Sequence, residues 1–416
     1  MLRTRTAPAR RSATAVLVAT ACCLLAGRAT PAFAATPGQI LRDRVYAAMR
    51  GSTAGALGMY VAVDGLGAVV SHNATVRSAP ASTEKSLVAA TALLRLGSTT
   101  ELATQVAATG EVVNGFLDGD LVLVGGGDPT LTTAHLQQLA NALAADGLHT
   151  VWGALYADDT RYDRVRRAPG WKASFVPDEL GPLSALVVDR NTWRRDASYL
   201  AEPVLPNLGR FRTALSNAGI TVAGTDHLGR PAAASHVLVE RRSPTIGAIV
   251  RSMLKNSDNL YAEMLTKELG RTTPGASGST ASGVSAVKDQ GVRLGMQLGS
   301  LADGSGLSAY DRETPVAETT WLAKVAPTAA GAEFRGDLPV ACRDGTLKDR
   351  FCGTAAAGRV SAKTGTLSGV VVLVGYTATA SNRAVRFAFM ISGASSTTQA
   401  RAAVDRAVVQ IAAFAG

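Results

Sequence analysis

Metal-binding and redox groups are scarce in this chain. Among 416 residues there are four cysteines and five histidines. His72, His135, His149, His227 and His236 fall without metal-ligand spacing and read as surface or core residues, so no metal or organic cofactor is implied. Beyond the N-terminus there is no second apolar stretch of membrane-spanning length. No dense basic run occurs there either, which leaves nucleic-acid binding without support. The triplet Gly125-Gly126-Gly127 before Asp128-Pro129 is not a phosphate cradle: no Lys-Ser/Thr follows, the pattern is not G-x-G-x-x-G, and a tight turn accounts for it.

What is present begins with a leader. Arg3, Arg5, Arg10 and Arg11 precede an apolar run from about Ala13 to Ala26, and Ala32-Phe33-Ala34 forms an A-x-A cleavage site. Residues 1–34 read as a secretory signal peptide, with an apolar core too short for a stable span. Arg10-Arg11 lacks the apolar residue a twin-arginine signal places after it, and Cys22 and Cys23 lack the leading Leu of a lipoprotein signal. The expectation is a secreted, extracytoplasmic, wall-associated protein with no transmembrane anchor after signal removal. Losing 1–34 removes five arginines and no acid, lowering the formal charge from +10 to +5, a balance that suits mild attraction to anionic wall polymers or membrane surfaces. Cys342 and Cys352 remain, ten positions apart, in a chain bound for an oxidising compartment. A disulfide between them is expected, contributing roughly 2–3 kcal/mol by the loop-entropy argument.

A mature length of about 382 residues exceeds the usual single core, so two domains are expected. Helical apolar spacing covers Pro37 to Arg50, and Met59–Val63 and Gly67–Val70 flank Asp64-Gly65-Leu66 as a hairpin. Near the other end, Val370–Tyr376 and Val385–Ser392 read as strands joined around Ser381-Asn382, and a helix runs from Thr397. Both ends thus feed one sheet assembled from distant parts of the chain. Between about Gly110 and Arg242 the texture changes to short strand-like pieces, including Asp120–Val124, Gly153–Ala157 and Leu183–Val188. The expected division is 35–107 and 244–416 for the main domain, with 108–243 inserted into it.

Three strings carry the chemistry: Ser82-Thr83-Glu84-Lys85, Ser257-Asp258-Asn259 and Lys363-Thr364-Gly365. Pro80 and Gly97 bracket a helix that starts at Ser82, placing the hydroxyl at its positive end. Serine is a poor nucleophile unless a base is adjacent, and Lys85 shares its helix face. A buried amine, its pKa lowered by the cationic Lys363, could be that base. Each string alone has a plain structural account: a helix cap with a solvated lysine, a second cap, an exposed hairpin. Their joint occurrence in this order does not. As a site, Ser257 relays a proton, and Asn259 holds Lys85 and a substrate amide. Lys363, with the Thr364 and Thr366 hydroxyls, meets a carboxylate, while Gly365 lets a substrate backbone lie close. The Ser82 and Thr366 N–H groups would form an oxyanion hole, with about 3–4 kcal/mol per donor.

The three strings form the signature of penicillin-binding proteins and class A β-lactamases. With Gly125–Leu131, Asp303-Gly304-Ser305-Gly306-Leu307-Ser308, Leu338-Pro339-Val340 and Asp344-Gly345-Thr346-Leu347, the chain resembles the class C low-molecular-mass penicillin-binding proteins, serine D-alanyl-D-alanine carboxypeptidases/endopeptidases. The resemblance runs over nearly all of 37–416. It implies an α/β fold, an antiparallel sheet flanked by helices in a penicillin-binding, serine β-lactamase-like catalytic domain, with an inserted, mainly β second domain. It implies peptidoglycan stem peptides as substrates and β-lactams as covalent inhibitors. Two departures stand out. The further small domain that the family nests in its insertion is missing or stunted here, and Ala309 replaces an arginine that commonly follows the Ser308 position. The alternatives are a serine β-lactamase or esterase and a catalytically silent wall-binding protein. A class A β-lactamase needs a Glu-x-x-Leu-Asn loop between the last two strings, and the stretch Glu202-Pro203-Val204-Leu205-Pro206-Asn207 has a proline in the pattern and precedes Ser257.

Overall fold

The computed structural model describes residues 35–52, 55–272 and 278–416. The signal-peptide reading of 1–34 falls outside the described residues.

The central sheet is built from both ends of the chain. Its order is Ser361–Leu367, Val370–Ala378, Ala384–Ser392, Ala56–Val63, Gly67–His72, every neighbouring pair antiparallel. Strand side chains alternate between faces, and both faces here are covered. Leu373, Phe387, Phe389 and Ile391 meet the terminal helices Pro37–Met49 and Thr397–Ala412 through Leu41, Val45, Val404 and Val408. Val372, Val374, Ala388 and Met390 point the other way, onto Leu87, Met253, Leu265 and Trp321 of the internal helices. Those helices are Lys85–Arg95, Ile246–Asn256, Asn259–Gly270, Thr280–Arg293 and Pro315–Val325. The sheet reading from the two chain ends therefore holds, with the expected helix and strand ends displaced by at most three residues.

A second core lies between them in sequence. Five strands run in the order Asp226–Leu228, Leu155–Asp158, Leu121–Val124, Ala103–Ala108, His236–Arg242, with a four-stranded sheet of two-residue strands beside them. Helices Thr133–Ala145 and Val204–Asn217 pack on this mainly β unit through Leu136, Leu139, Leu208 and Phe211. The incoming and outgoing segments are tied where they cross: the Ser243 N–H donates to Leu102 O (2.8 Å), and the Leu102 N–H donates to Ser243 Oγ (2.9 Å).

Leu183–Val188 is buried throughout but is not a strand. Its backbone bonds to loops, with Leu183 N donating to Arg166 O and Ala185 O accepting from Gly127 N. A buried apolar run has the same sequence pattern whichever backbone partners it finds. Gly126 and Gly127 serve close packing: a Cβ on Gly126 would lie 2.0 Å from Ala103 O, and Gly127 has φ +77°. Cys342 and Cys352 form a disulfide.

Candidate active site

Ser82 sits on a single 3₁₀ turn, Ala81–Glu84, that runs directly into the helix Lys85–Arg95. The turn is wedged between two glycines. A Cβ on Gly306 would meet Ala81 O at 1.9 Å, and one on Gly365 would meet Pro80 O at 2.8 Å and Ser82 N at 3.2 Å. Gly365 is thus required by the protein's own packing. Ala81 has φ +49°, a left-handed conformation that costs a non-glycine residue about 1–3 kcal/mol and persists where surroundings enforce it.

Lys85 is fully buried. Its ammonium donates to Ser82 Oγ (3.0 Å), Asn259 Oδ1 (2.8 Å) and Ser305 O (2.5 Å). Burial is the chief cause that pushes its pKa down to about 8, while Asp303, Glu263, Asp258 and Glu84 pull it upward. The expectation that Lys363 depresses Lys85 is corrected here. Repulsion shows instead on Lys363, held well below the usual lysine value by burial and then by the Lys85 cation. The reason is the surroundings: carboxylates favour the cation on Lys85, Lys363 has none of them, and of two neighbouring ammonium groups the less supported one deprotonates first.

The Ser-Asp-Asn string is the corner between two helices, and each residue type has a local reason. Ser257 closes Ile246–Asn256 in the left-handed conformation, φ +58°. Asp258 caps the next helix by accepting from Tyr261 N (3.1 Å), and its carboxylate is held by both terminal nitrogens of Arg190 at 2.8 and 3.0 Å. Asn259 opens that helix, with its Oδ1 on Lys85 and its Nδ2 donating to Glu179 Oε2 at 3.3 Å.

The third string lies on the edge strand Ser361–Leu367. The buried Lys363 ammonium donates to Ser257 Oγ (2.8 Å) and Thr364 O (2.9 Å), which ties the second string to the third. Thr364 Oγ1 donates to Thr346 Oγ1 (2.9 Å), and Thr366 is exposed. Hydrogen bonds thus connect Ser82, Lys85 and Asn259 in one group and Ser257, Lys363 and Thr364 in another, and charge repulsion between the lysines couples them.

Sequence reasoning missed Ser305, Glu179 and Arg190 as contacts of this group. The string Asp303–Ser308 was a signal for the first, since it brings Ser305 O to Lys85 and Gly306 to the Ser82 turn. Nothing local marks Glu179 or Arg190, which reach the site from the stretch between the first and second strings. Glu202 is spent elsewhere, paired with Arg166 at 3.0 Å. Among the described residues, the group of acidic side chains close enough to share a metal ion is Glu84, Asp303 and Asp311.

A five-stranded antiparallel sheet with helices on both faces, an active-site Ser-x-x-Lys helix start, a Ser-x-Asn corner and a Lys-Thr-Gly edge strand define the penicillin-recognising serine enzymes. The chain belongs to the D-Ala-D-Ala carboxypeptidase 3 (S13) family, which matches residues 51–203 and 200–414, and so to the class C low-molecular-mass penicillin-binding proteins. It is 32% identical over 378 residues to a D-alanyl-D-alanine carboxypeptidase from an Actinomadura species, covering 71% of this chain and 70% of that one. It is 24% identical over 397 residues to the D-alanyl-D-alanine carboxypeptidase DacB of Haemophilus influenzae, covering 78% and 82%. The crystal structure of penicillin binding protein 4 from H. influenzae superposes with a TM-score of 0.79 at 21% identity, covering 88% of this chain and 98% of that one. No helix among the described residues is long and apolar enough to cross a membrane.

Proposed function

We propose that this chain is a serine D-Ala-D-Ala carboxypeptidase/endopeptidase that cleaves peptidoglycan stem peptides through a Ser82 acyl-enzyme and is acylated by β-lactams. The observation that carries the reading is Lys85: a buried amine, 3.0 Å from the Ser82 hydroxyl, with a pKa lowered to about 8. When neutral, Lys85 accepts the Ser82 proton as the hydroxyl attacks the carbonyl between two D-alanines. The Ser82 and Thr366 N–H groups hold the oxyanion. Ser257, bonded to Lys363, delivers a proton to the departing D-alanine, and water then hydrolyses the ester. Lys363 binds the terminal carboxylate with the Thr364 and Thr366 hydroxyls, and the incoming anion restores the proton that burial disfavours. Asn259 fixes Lys85 and receives the substrate amide.

Export through the leader at 1–34 and action at the cell wall belong to the same proposal, as does the division into a catalytic domain and an insert at 108–243. The β-lactamase reading is weaker because the Glu202 string has a proline in the pattern and precedes Ser257, and Glu202 itself is bound to Arg166. Labelled penicillin followed by intact mass separates the readings. A long-lived adduct that Ser82→Ala abolishes is expected. Rapid drug turnover would favour the β-lactamase, and the absence of both adduct and D-alanine release would leave a silent wall-binding protein.

A further inference from the structure

Glu84 stands between Ser82 and Lys85 in the sequence, yet its carboxylate hydrogen-bonds to neither. Its side chain is 1% exposed and ends beside Asp303 (1%) and Asp311 (0%), with one oxygen from each of the three lying within 4.8 Å of the others. Asp303 is saturated as an acceptor: Oδ2 takes Trp171 Nε1, Ser305 Oγ and the Leu307 and Ser308 N–H groups, and Oδ1 takes the Gly306 N–H. Asp311 uses one oxygen, Oδ1, on the Ala302 N–H at 2.7 Å. That leaves Asp311 Oδ2 and both Glu84 oxygens buried with no donor. An unpaired buried carboxylate oxygen is costly, and two facing carboxylates are costlier still. One proton between them removes both penalties.

We infer that Glu84 and Asp311 form a carboxylic acid–carboxylate pair sharing one proton, and that this pair positions Lys85 by keeping a single negative charge beneath it. The charged and titratable groups facing the pair are Asp303, Glu263 and Lys85. Asp303 caps the loop whose Ser305 carbonyl accepts from Lys85, and Glu263 accepts from the Gly304 and Ser305 N–H groups of the same loop. Asp258 adds a more distant pull on Lys85. Burial and then the neighbouring carboxylates push Glu84 well up and Asp311 up to about 9, so the pair keeps a proton at neutral pH.

The pair has a distinctive mutational pattern. Glu84→Gln or Asp311→Asn replaces the shared proton with an amide N–H and leaves one carboxylate, so the charge is unchanged. The double variant removes it. Infrared spectra should show a carboxylic-acid carbonyl band that is lost in each single variant. The pair holds a proton that the unfolded chain has released between about pH 4 and about pH 9, so stability falls as pH rises through that window. Each single variant should lessen that slope by one proton, measured by denaturant titration across pH. The acid limb of penicillin acylation should stay in place in both single variants and move to lower pH by at least about 0.5 unit in the double variant. This last readout rests on Lys85 being the base. The infrared band and the stability slope do not, so failure of that reading alone would leave them intact. Retention of the acid band in both single variants would overturn the inference. So would a stoichiometric metal ion in the purified protein that Glu84→Gln releases, or single variants that shift the acid limb as far as the double.

Discussion

Gly365 lies against the backbone of Ser82: a methyl group built on it would stand 3.2 Å from the Ser82 nitrogen and 2.8 Å from Pro80 O. The edge strand and the Ser82 turn are therefore spaced by a missing side chain, and the proposed oxyanion hole depends on that spacing. Gly365→Ala is expected to lower penicillin acylation about 10- to 100-fold, because displacing reacting groups by about 1 Å is enough for such losses. The melting temperature should fall by only a few degrees. Unchanged acylation would mean that the strand yields and the spacing is not critical.

The lysine pair sets a pH dependence. With Lys85 near 8 and the neutral amine as base, acylation of the free enzyme should rise about tenfold between pH 7 and pH 9. Lys85→Arg, which cannot lose its proton at these pH values, should abolish acylation even at pH 9. Folded Lys85 binds its proton more weakly than unfolded lysine, whose pKa is about 10.4. Its burial penalty is therefore fully present below about pH 8 and relieved as pH rises toward about 10. Stopped-flow acylation across pH tests the first part, and a flat profile would remove Lys85 from the role of base.

Glu179 occupies the Asn259 amide that the mechanism assigns to substrate. The substrate must displace an exposed hydrogen bond of about 0.5–1.5 kcal/mol. Glu179→Ala should therefore lower KM for a neutral stem-peptide analogue about 2- to 13-fold, leaving kcat near its original value. A fall in kcat instead would identify Glu179 as part of the hydrolytic step.

Reduction should act at a distance on the edge strand. The Cys342–Cys352 loop carries Asp344, which pairs with Lys255 at 2.8 Å, and Thr346, which accepts from Thr364. Cys352 is exposed, so the bridge is open to thiols. Loss of about 2–3 kcal/mol is expected, seen as a lower melting temperature with dithiothreitol and two titratable thiols afterwards. Two free thiols before reduction would contradict the bridge.

The sheet was legible from its alternating apolar strands and the terminal helices from their 3.6-residue spacing, because both patterns are local. Leu183–Val188 was misleading for the same reason, since burial alone gives a strand and a buried loop the same composition. In the site, the residues of the three strings come together because each string is tied to a local device: a 3₁₀ start, a helix-to-helix corner and an edge strand. Gly365 was marked for a different reason from the one the structure supplies, as its crowding comes from Pro80–Ser82, far away in sequence.

By itself the order of residues determined which side chains could act, since Ser-x-x-Lys, Ser-Asp-Asn and Lys-Thr-Gly bring particular functional groups to particular backbone shapes. Only the tertiary structure decided their protonation and their neighbours. Burial, not Lys363, lowers Lys85. Asp303 and Glu263 sustain its charge, and Glu84 is directed to Asp311. Desolvation and Coulomb energy depend on distances between segments well over a hundred positions apart. A linear string of residues holds no record of those distances.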